Sequence, residues 1–88
     1  MLNAALTTAA ANMATPVDQH VGRRIRGKRR ALGLSEENLA TALGVETDRI
    51  AAYERALARV PSDHLIRLSE VLGVPLSYFF PARPFAPL

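Results

Sequence analysis

The sequence predicts an all-α fold in which short amphipathic helices pack around one central helix pair. Three observations favour this fold class. The stretch Gly33–Glu54, G-L-S-E-E-N-L-A-T-A-L-G-V-E-T-D-R-I-A-A-Y-E, reads as two short helices joined by a glycine turn. Apolar residues elsewhere recur at helical spacing, and no alternating apolar segment predicts a strand. A length of 88 residues allows one domain, near the lower limit for a self-supporting core.

The first helix follows an uncharged segment rich in alanine and threonine, which we interpret as a flexible N-terminal arm over residues 1–16. Asp18 is placed to cap a helix that runs to about Leu32. Val21 and Ile25 share an apolar face with Leu32 at helical spacing, and this face is expected to enter the core.

The central pair has clear start and stop signals. Ser35 is suited to cap a helix over residues 36–43, and Gly44 supplies the left-handed turn that ends it. A second helix is expected to begin near Thr47, with Ile50 and Tyr53 facing inward. The remaining side chains of this helix stay outside and would meet a partner: Thr47, Asp48, Arg49, Ala51, Ala52 and Arg55.

The last third of the chain predicts one more helix and a turn. After a loop over residues 56–61, Ser62 is placed to cap a fourth helix that Gly73 ends. A short last turn over residues 75–80 precedes a proline-rich tail at residues 81–88, and this tail cannot continue a helix.

Composition excludes several classes of site. The chain has no cysteine, so disulfides and thiolate metal sites are excluded, and a reducing cytoplasm is the simplest compartment. His20 and His64 are isolated in sequence, and we expect a surface position for His64. No nucleophile elbow, paired carboxylates, phosphate-binding glycine loop, signal peptide or membrane span is recognisable. We therefore expect a cytoplasmic protein that is not an enzyme, with no cofactor, metal, membrane or small-molecule substrate.

Four motifs recur in order: V-G-R-R-I-R-G-K-R-R-A-L-G-L-S-E-E-N-L-A, then L-G-V, Y-E-R and L-G-V-P-L-S-Y-F-F. Together they resemble the phage Cro and repressor type helix-turn-helix family, also called the xenobiotic-response-element type. The resemblance covers residues 17–80. It implies a compact five-helix bundle, the lambda-repressor-like DNA-binding domain. It also implies a bacterial or phage transcription regulator that binds double-stranded DNA as a homodimer at a palindromic site.

The resemblance also implies roles for particular residues. Arg29 and Glu54 match a structural pair that ties the first helix to the third. Base contacts fall on the open face of the third helix, at Thr47, Asp48 and Ala52. Arg49 and Ala51, which lie outside on the same helix, are further base-facing candidates. Phosphate contacts fall at the start of the second helix, the start of the third and the loop that follows it: Glu36, Glu46 and Arg59.

The charge pattern departs from the family at the reading surface. Glu36, Glu46 and Asp48 put carboxylates where the family usually has neutral polar residues. Residues 35–54 hold five acids and one base, a net charge of −4, whereas the first helix holds six cations and Asp18, a net of +5. Phosphate affinity comes mainly from cations, so this distribution matters more than the overall +3. Within the first helix, phosphate contact and a simple solvated face both remain open for three residues: Arg23, Arg24 and Lys28.

Asp48 has two interpretations. Its carboxylate can accept a hydrogen bond from a cytosine amino group. Alternatively, it stabilises the positive end of the helix dipole, as Glu46 would by capping. Arg49 is either a guanine reader or the partner of these two acids.

The C-terminal apolar residues predict a surface for a second subunit or another protein. A domain this small is not expected to bury four clustered aromatic side chains by itself, so some of them should face a dimer or partner protein. The candidate surface comprises Leu76, Tyr78, Phe80 and Phe85. Two alternative functions remain open: a protein-binding adaptor or anti-regulator with weak or no DNA binding, and an antitoxin-like autoregulator.

Overall fold

A computed structural model describes residues 15–81, which form four α-helices and one 3-10 helix, with no strand among them. The all-α prediction is confirmed, but the fifth helix implied by the family resemblance is a single 3-10 turn in this part of the chain. Residues 1–14 and 82–88 lie outside the described residues, and with them most of the predicted arm, Phe85 and the tail. The helices are α1 (Pro16–Ala31), α2 (Glu36–Leu43), α3 (Thr47–Glu54), α4 (Ser62–Leu72) and the 3-10 helix (Leu76–Phe79).

Helix α1 begins earlier than the sequence predicts. Thr15 is its N-cap: the Asp18 N–H donates to Thr15 Oγ1 at 3.1 Å, and the Thr15 N–H donates to Asp18 Oδ2 at 3.2 Å. Pro16 occupies the first helical position, where its fixed φ fits and its missing N–H costs nothing. The prediction of Asp18 as the cap was therefore wrong, because Asp18 is the third helical residue of a reciprocal capping box.

The predicted caps of the other three helices were correct for α2 and wrong for α3 and α4. Ser35 caps α2 as predicted: its Oγ accepts the Asn38 N–H at 2.9 Å. Helix α3 begins at Thr47, but the Glu46 side chain makes no capping hydrogen bond, so its predicted capping role was wrong. Ser62 is the first helical residue of α4, after Pro61 at the N-cap position, and not the cap itself.

One core joins all of these helices. Its fully buried side chains come from every element: Ile25, Leu39, Ile50, Tyr53, Leu68 and Phe79. Leu32, predicted for the apolar face of α1, is 47% exposed because the helix ends at Ala31 and the chain turns away from the core.

Close backbone approach sets the contact between α1 and α3. Gly22 is buried in α1, and a Cβ atom there would lie 2.6 Å from the carbonyl oxygens of both Tyr53 and Glu54. No L-residue tolerates that distance, so Gly22 determines how near the two helices approach. At Gly27, five residues later in the same helix, an added Cβ atom would have no neighbour within 4 Å.

All four α-helices end with one backbone arrangement. A residue just beyond each helix lies in the left-handed region. The backbone N–H of the next residue donates to the carbonyl of the residue five positions before that donor, at 2.8–3.0 Å. Gly33, Gly44 and Gly73 take this position with φ of +69° to +78°. At the end of α3 the position is held by Ala56, with φ +59°. Ala56 therefore carries a backbone strain that the three glycines avoid.

The surroundings of Gly22 and Gly27 in α1 predict opposite effects of an alanine substitution on stability. Gly22→Ala forces a Cβ against two backbone carbonyls and should lower the free energy of unfolding by about 1–3 kcal/mol. Gly27→Ala adds a methyl group in open space and should raise it by roughly 0.5–1 kcal/mol. Urea unfolding followed by far-ultraviolet circular dichroism measures both. Equal effects of the two variants would contradict the close approach at Gly22.

Ala56→Gly predicts a gain in stability. The substitution removes the left-handed strain of an L-residue, and this gain exceeds the loss of one packed methyl group, giving a net rise of about 0.5–1 kcal/mol. Ala51→Gly, in the interior of the same helix, is the control and should lower stability by about 1 kcal/mol. The same unfolding measurement applies, and destabilisation by both variants would rule out strain at residue 56.

Candidate nucleic-acid interface

The outward face of α3 is the centre of the candidate interface. Ile50, Tyr53 and Glu54 are buried on its inner side, which leaves Asp48, Ala52 and Arg55 in line on the outer side at i, i+4 and i+7. Of the predicted base-facing residues, Thr47, Asp48 and Arg49 are exposed, and Ala51 and Ala52 are half-buried.

A buried ion pair fixes α3 against α1. Arg29 Nε donates to Glu54 Oε2 at 2.5 Å, and Arg29 Nη2 donates to Glu54 Oε1 at 2.9 Å. A third donor, Nη1, binds the Leu34 carbonyl at 2.9 Å. Hydrogen bonds from the Arg29 guanidinium to Glu54 raise the pKa of Arg29 above its already high value, outweighing the opposing effect of burial. One arginine therefore joins α1, the turn before α2 and the end of α3.

Glu36 lies beside the same arginine. Its Oε2 is 4.0 Å from Arg29 Nη2, and its side chain is 31% exposed. The carboxylate at the start of α2 is therefore partly compensated by a buried cation. Glu46, the other acid at a predicted phosphate position, is exposed and has no ion pair within residues 15–81.

A second contact joins α3 to α4. The Tyr53 hydroxyl lies 2.7 Å from His64 Nδ1, and the two rings meet edge to face. His64 is half-buried, so its predicted surface position was wrong. Burial raises the pKa of Tyr53, Arg49 lowers it and Asp63 raises it, with a net upward shift. Arg49 lies with Tyr53 and His64 around a shallow depression, and no carboxylate of residues 15–81 is within 4.0 Å of it.

The predicted phosphate contacts of α1 and the loop have different surroundings. Arg24 stacks over the Tyr78 ring at 4.6 Å and donates from Nε to His20 Nε2 at 3.4 Å. Arg59 Nη2 donates to Asp18 Oδ2 at 3.3 Å. Burial alone would raise the pKa of Asp18, but hydrogen bonds from Thr15 and Arg59 lower it overall. Of the other two predicted cations, Arg23 is exposed and Lys28 is half-buried.

A polar groove lies where the second half of α1 meets the start of α2 and the end of α3. We call it the arginine groove. Its lining combines the buried Arg29–Glu54 pair with three exposed arginines, two from α1 and one that follows α3. The sequence interpretation assigned no phosphate contact to these exposed arginines, although the i, i+4 spacing of Arg26 and Arg30 was an available signal. The groove is lined by Arg26, Arg29, Arg30, Ser35, Glu36, Glu54 and Arg55.

The C-terminal apolar residues are only partly used by the core. Phe79 is fully buried, and Tyr78 packs on it edge to face at 5.7 Å between ring centroids. Leu76 and Phe80 remain 42% and 36% exposed. Phe85, the fourth residue of the predicted dimer or partner surface, lies outside the described residues.

Among residues 15–81, none of the helices has the length and apolar character of a membrane span. No cluster of three histidine or acidic side chains within that range could hold a metal ion.

Comparison with known proteins identifies the family. A family model described as helix-turn-helix matches residues 25–79, which is more than half of the chain. The chain belongs to the helix-turn-helix family. The Cro and repressor type resemblance predicted from the sequence motifs is confirmed, and the matched range contains both helices of the central pair.

Relatives and solved structures agree with this family. An HTH-type transcriptional regulator of Sinorhizobium medicae is 44% identical over 69 residues, covering 78% of this chain and 50% of its own length. The chain thus spans about half the length of the curated relatives it matches. The restriction-modification controller protein C.AhdI from Aeromonas hydrophila is 28% identical with a TM-score of 0.68, covering 72% of this chain and 96% of that protein.

The same fold also occurs inside an enzyme. Hydroxypropylphosphonic acid epoxidase from S. wedmorenis matches with a TM-score of 0.68 at 22% identity, covering 73% of this chain and 34% of the epoxidase. At that identity only the fold is shared, so function has to be argued from the residues on the helix-turn-helix surface.

The buried pair predicts a large loss of stability when one partner is neutralised. Glu54→Gln keeps the shape but leaves the Arg29 charge buried without its carboxylate, so we expect a loss of about 3–5 kcal/mol in the free energy of unfolding. Glu70→Gln on the exposed side of α4 is the matched control and should change stability by less than about 0.5 kcal/mol. Chemical unfolding measures both, and a loss at Glu54 no larger than the control would contradict the assigned role of the pair.

Proposed function

We propose that this helix-turn-helix domain is a sequence-specific DNA-binding transcription regulator. The observation that carries the proposal is the presentation of α3: its outer face carries the exposed Thr47, Asp48 and Arg49 and the half-buried Ala51 and Ala52, while its inner face is fixed by the Arg29–Glu54 pair and the Tyr53–His64 contact. A rigid helix with one open face is what insertion into a major groove requires. Relatives that are named as transcriptional regulators support a role in transcription regulation.

Base reading is assigned to the open side chains of α3. Asp48 lies in the first turn of that face and is the candidate acceptor for a cytosine amino group, a contact that discriminates by about 1–3 kcal/mol. Ala52, one turn later, offers a methyl group to a thymine. The remaining members of the proposed base-facing set are Thr47, Arg49 and Ala51.

We propose a homodimer as the DNA-binding form. Leu76 and Phe80 leave apolar surface exposed next to the core, and the half-buried Tyr78 lies between them in the sequence. An isologous dimer through this end would place two α3 helices about one turn of DNA apart, near 34 Å, and would require a palindromic site.

A protein-binding role is the second candidate, and the acids favour it. Asp48 and Glu46 expose two carboxylates at the start of α3, and the half-buried Glu36 adds a third at the start of α2. Carboxylates repel phosphates, so a surface of this kind is also compatible with an adaptor, anti-regulator or antitoxin-like protein that contacts another protein through α3.

A selection from genomic DNA fragments tests the proposal. Purified protein is mixed with random fragments across a range of salt concentrations, and retained DNA is sequenced. We expect one enriched palindrome and affinity that falls steeply with salt, because cations on the protein displace counterions from the phosphates. A palindrome also reports the dimer, whereas an enriched single half-site would contradict it.

The triple variant Glu36→Gln, Glu46→Ser, Asp48→Gln separates the two candidates. If α3 reads DNA, the variant should bind generic DNA more tightly and lose preference for the selected site. Glu37→Gln, an exposed acid near the start of α2, is the single-charge control. DNA binding that occurs only in the triple variant, with none by the folded parent protein at low salt, would support the protein-binding role and contradict the proposed function.

A further inference from the structure

We infer that the arginine groove is the principal phosphate-binding site of this domain. Arg26, Arg30 and Arg55 bind phosphates along one stretch of DNA backbone beside α3. This inference rests on the proposed function, which it makes more specific. It places the main phosphate contacts on three arginines to which the resemblance assigns no role. Of the phosphate positions that the resemblance implies, Glu36 lines the groove, whereas Glu46 and Arg59 do not.

The three guanidinium groups are available for an anion. Arg26, Arg30 and Arg55 are exposed, and within residues 15–81 none of them has a carboxylate within 4.0 Å or a side-chain hydrogen bond. Two of the other candidates are already engaged. Arg24 is stacked on Tyr78, and Arg59 is paired with Asp18.

The groove is positive although two acids line it. Four arginines and two glutamates line it, which gives a net charge of +2. Glu54 is bound by two hydrogen bonds from Arg29, and Glu36 lies 4.0 Å from the same guanidinium, so both carboxylates face a buried cation. The three outer arginines therefore remain to attract a phosphate.

The location fits a strand of backbone next to the reading helix. Arg26 and Arg30 are one turn apart on the same side of α1, and Arg55 follows the last residue of α3. Arg55 also continues the outward line of Asp48 and Ala52. If the base edges of a duplex contact this line of side chains, the adjoining phosphates lie near the end of α3, beside the arginine groove.

Salt dependence of binding to a mixed-sequence duplex tests the site. We expect Arg26→Gln, Arg30→Gln and Arg55→Gln each to reduce the slope of log affinity against log salt by about 0.9, and the triple variant by about 2.7, because each removes one phosphate contact. Arg67→Gln on α4 removes the same charge outside the groove and should leave the slope unchanged. Thermal unfolding of each variant verifies that the fold is intact.

Three outcomes would overturn the inference. Equal slope changes in Arg67→Gln and the groove variants would show a general charge effect. A slope change in Arg24→Gln or Arg59→Gln, with none in the groove variants, would place the phosphate contacts at the positions first predicted. No binding of the duplex or of genomic fragments by the parent protein at low salt would overturn the proposed function itself, a result distinct from the first two.

Discussion

The Arg29–Glu54 pair is the interaction on which the presentation of α3 depends. The guanidinium binds two carboxylate oxygens of α3 and the Leu34 carbonyl before α2, so three separate segments meet at one side chain. Removing two charges from water is costly, and a buried pair of this kind adds little net stability compared with an apolar pair. Its contribution is geometric, because the planar guanidinium can donate to the two Glu54 oxygens and the Leu34 carbonyl in only one arrangement. No buried side-chain nitrogen or oxygen atom in residues 15–81 lacks a hydrogen bond.

Gly22 completes this arrangement at the level of the backbone. The ion pair holds the end of α3 to α1, and the absence of a side chain at Gly22 lets the carbonyls of Tyr53 and Glu54 approach closely. The two constraints act about two helical turns apart along α1. Together they fix both the distance and the direction of α3, while the Tyr53–His64 contact attaches its other flank to α4. Docking to a rigid ligand such as duplex DNA benefits from this preorganisation.

Local features of the fold were predictable from sequence, and features that join distant segments were not. Ser35 acts within a few residues of its own helix end, so its capping role could be assigned correctly. Leu32 shows the limit of periodicity, because the chain turns away after α1 and removes it from the face that its spacing predicts. The Tyr53–His64 contact joins two helices, and no local pattern marks it. The buried ion pair could be predicted only through the family resemblance. The arginine groove could not be predicted, because it depends on how three helices meet.

Charge is divided along α3, and this division bears directly on how the domain would meet DNA. Glu46 and Asp48 lie at the start of α3, where acids stabilise the positive end of the helix dipole. Arg55 lies at the other end, beside two arginines of α1. The same acids that favour the helix would repel a phosphate near its start, so the attractive part of the surface is displaced toward its end. The overall charge of +3 does not describe this asymmetry, and a duplex would respond to the local field within about a Debye length of the contact. The proposed base reading by Asp48 is then compatible with the proposed phosphate binding, because the two sites lie at different ends of one helix.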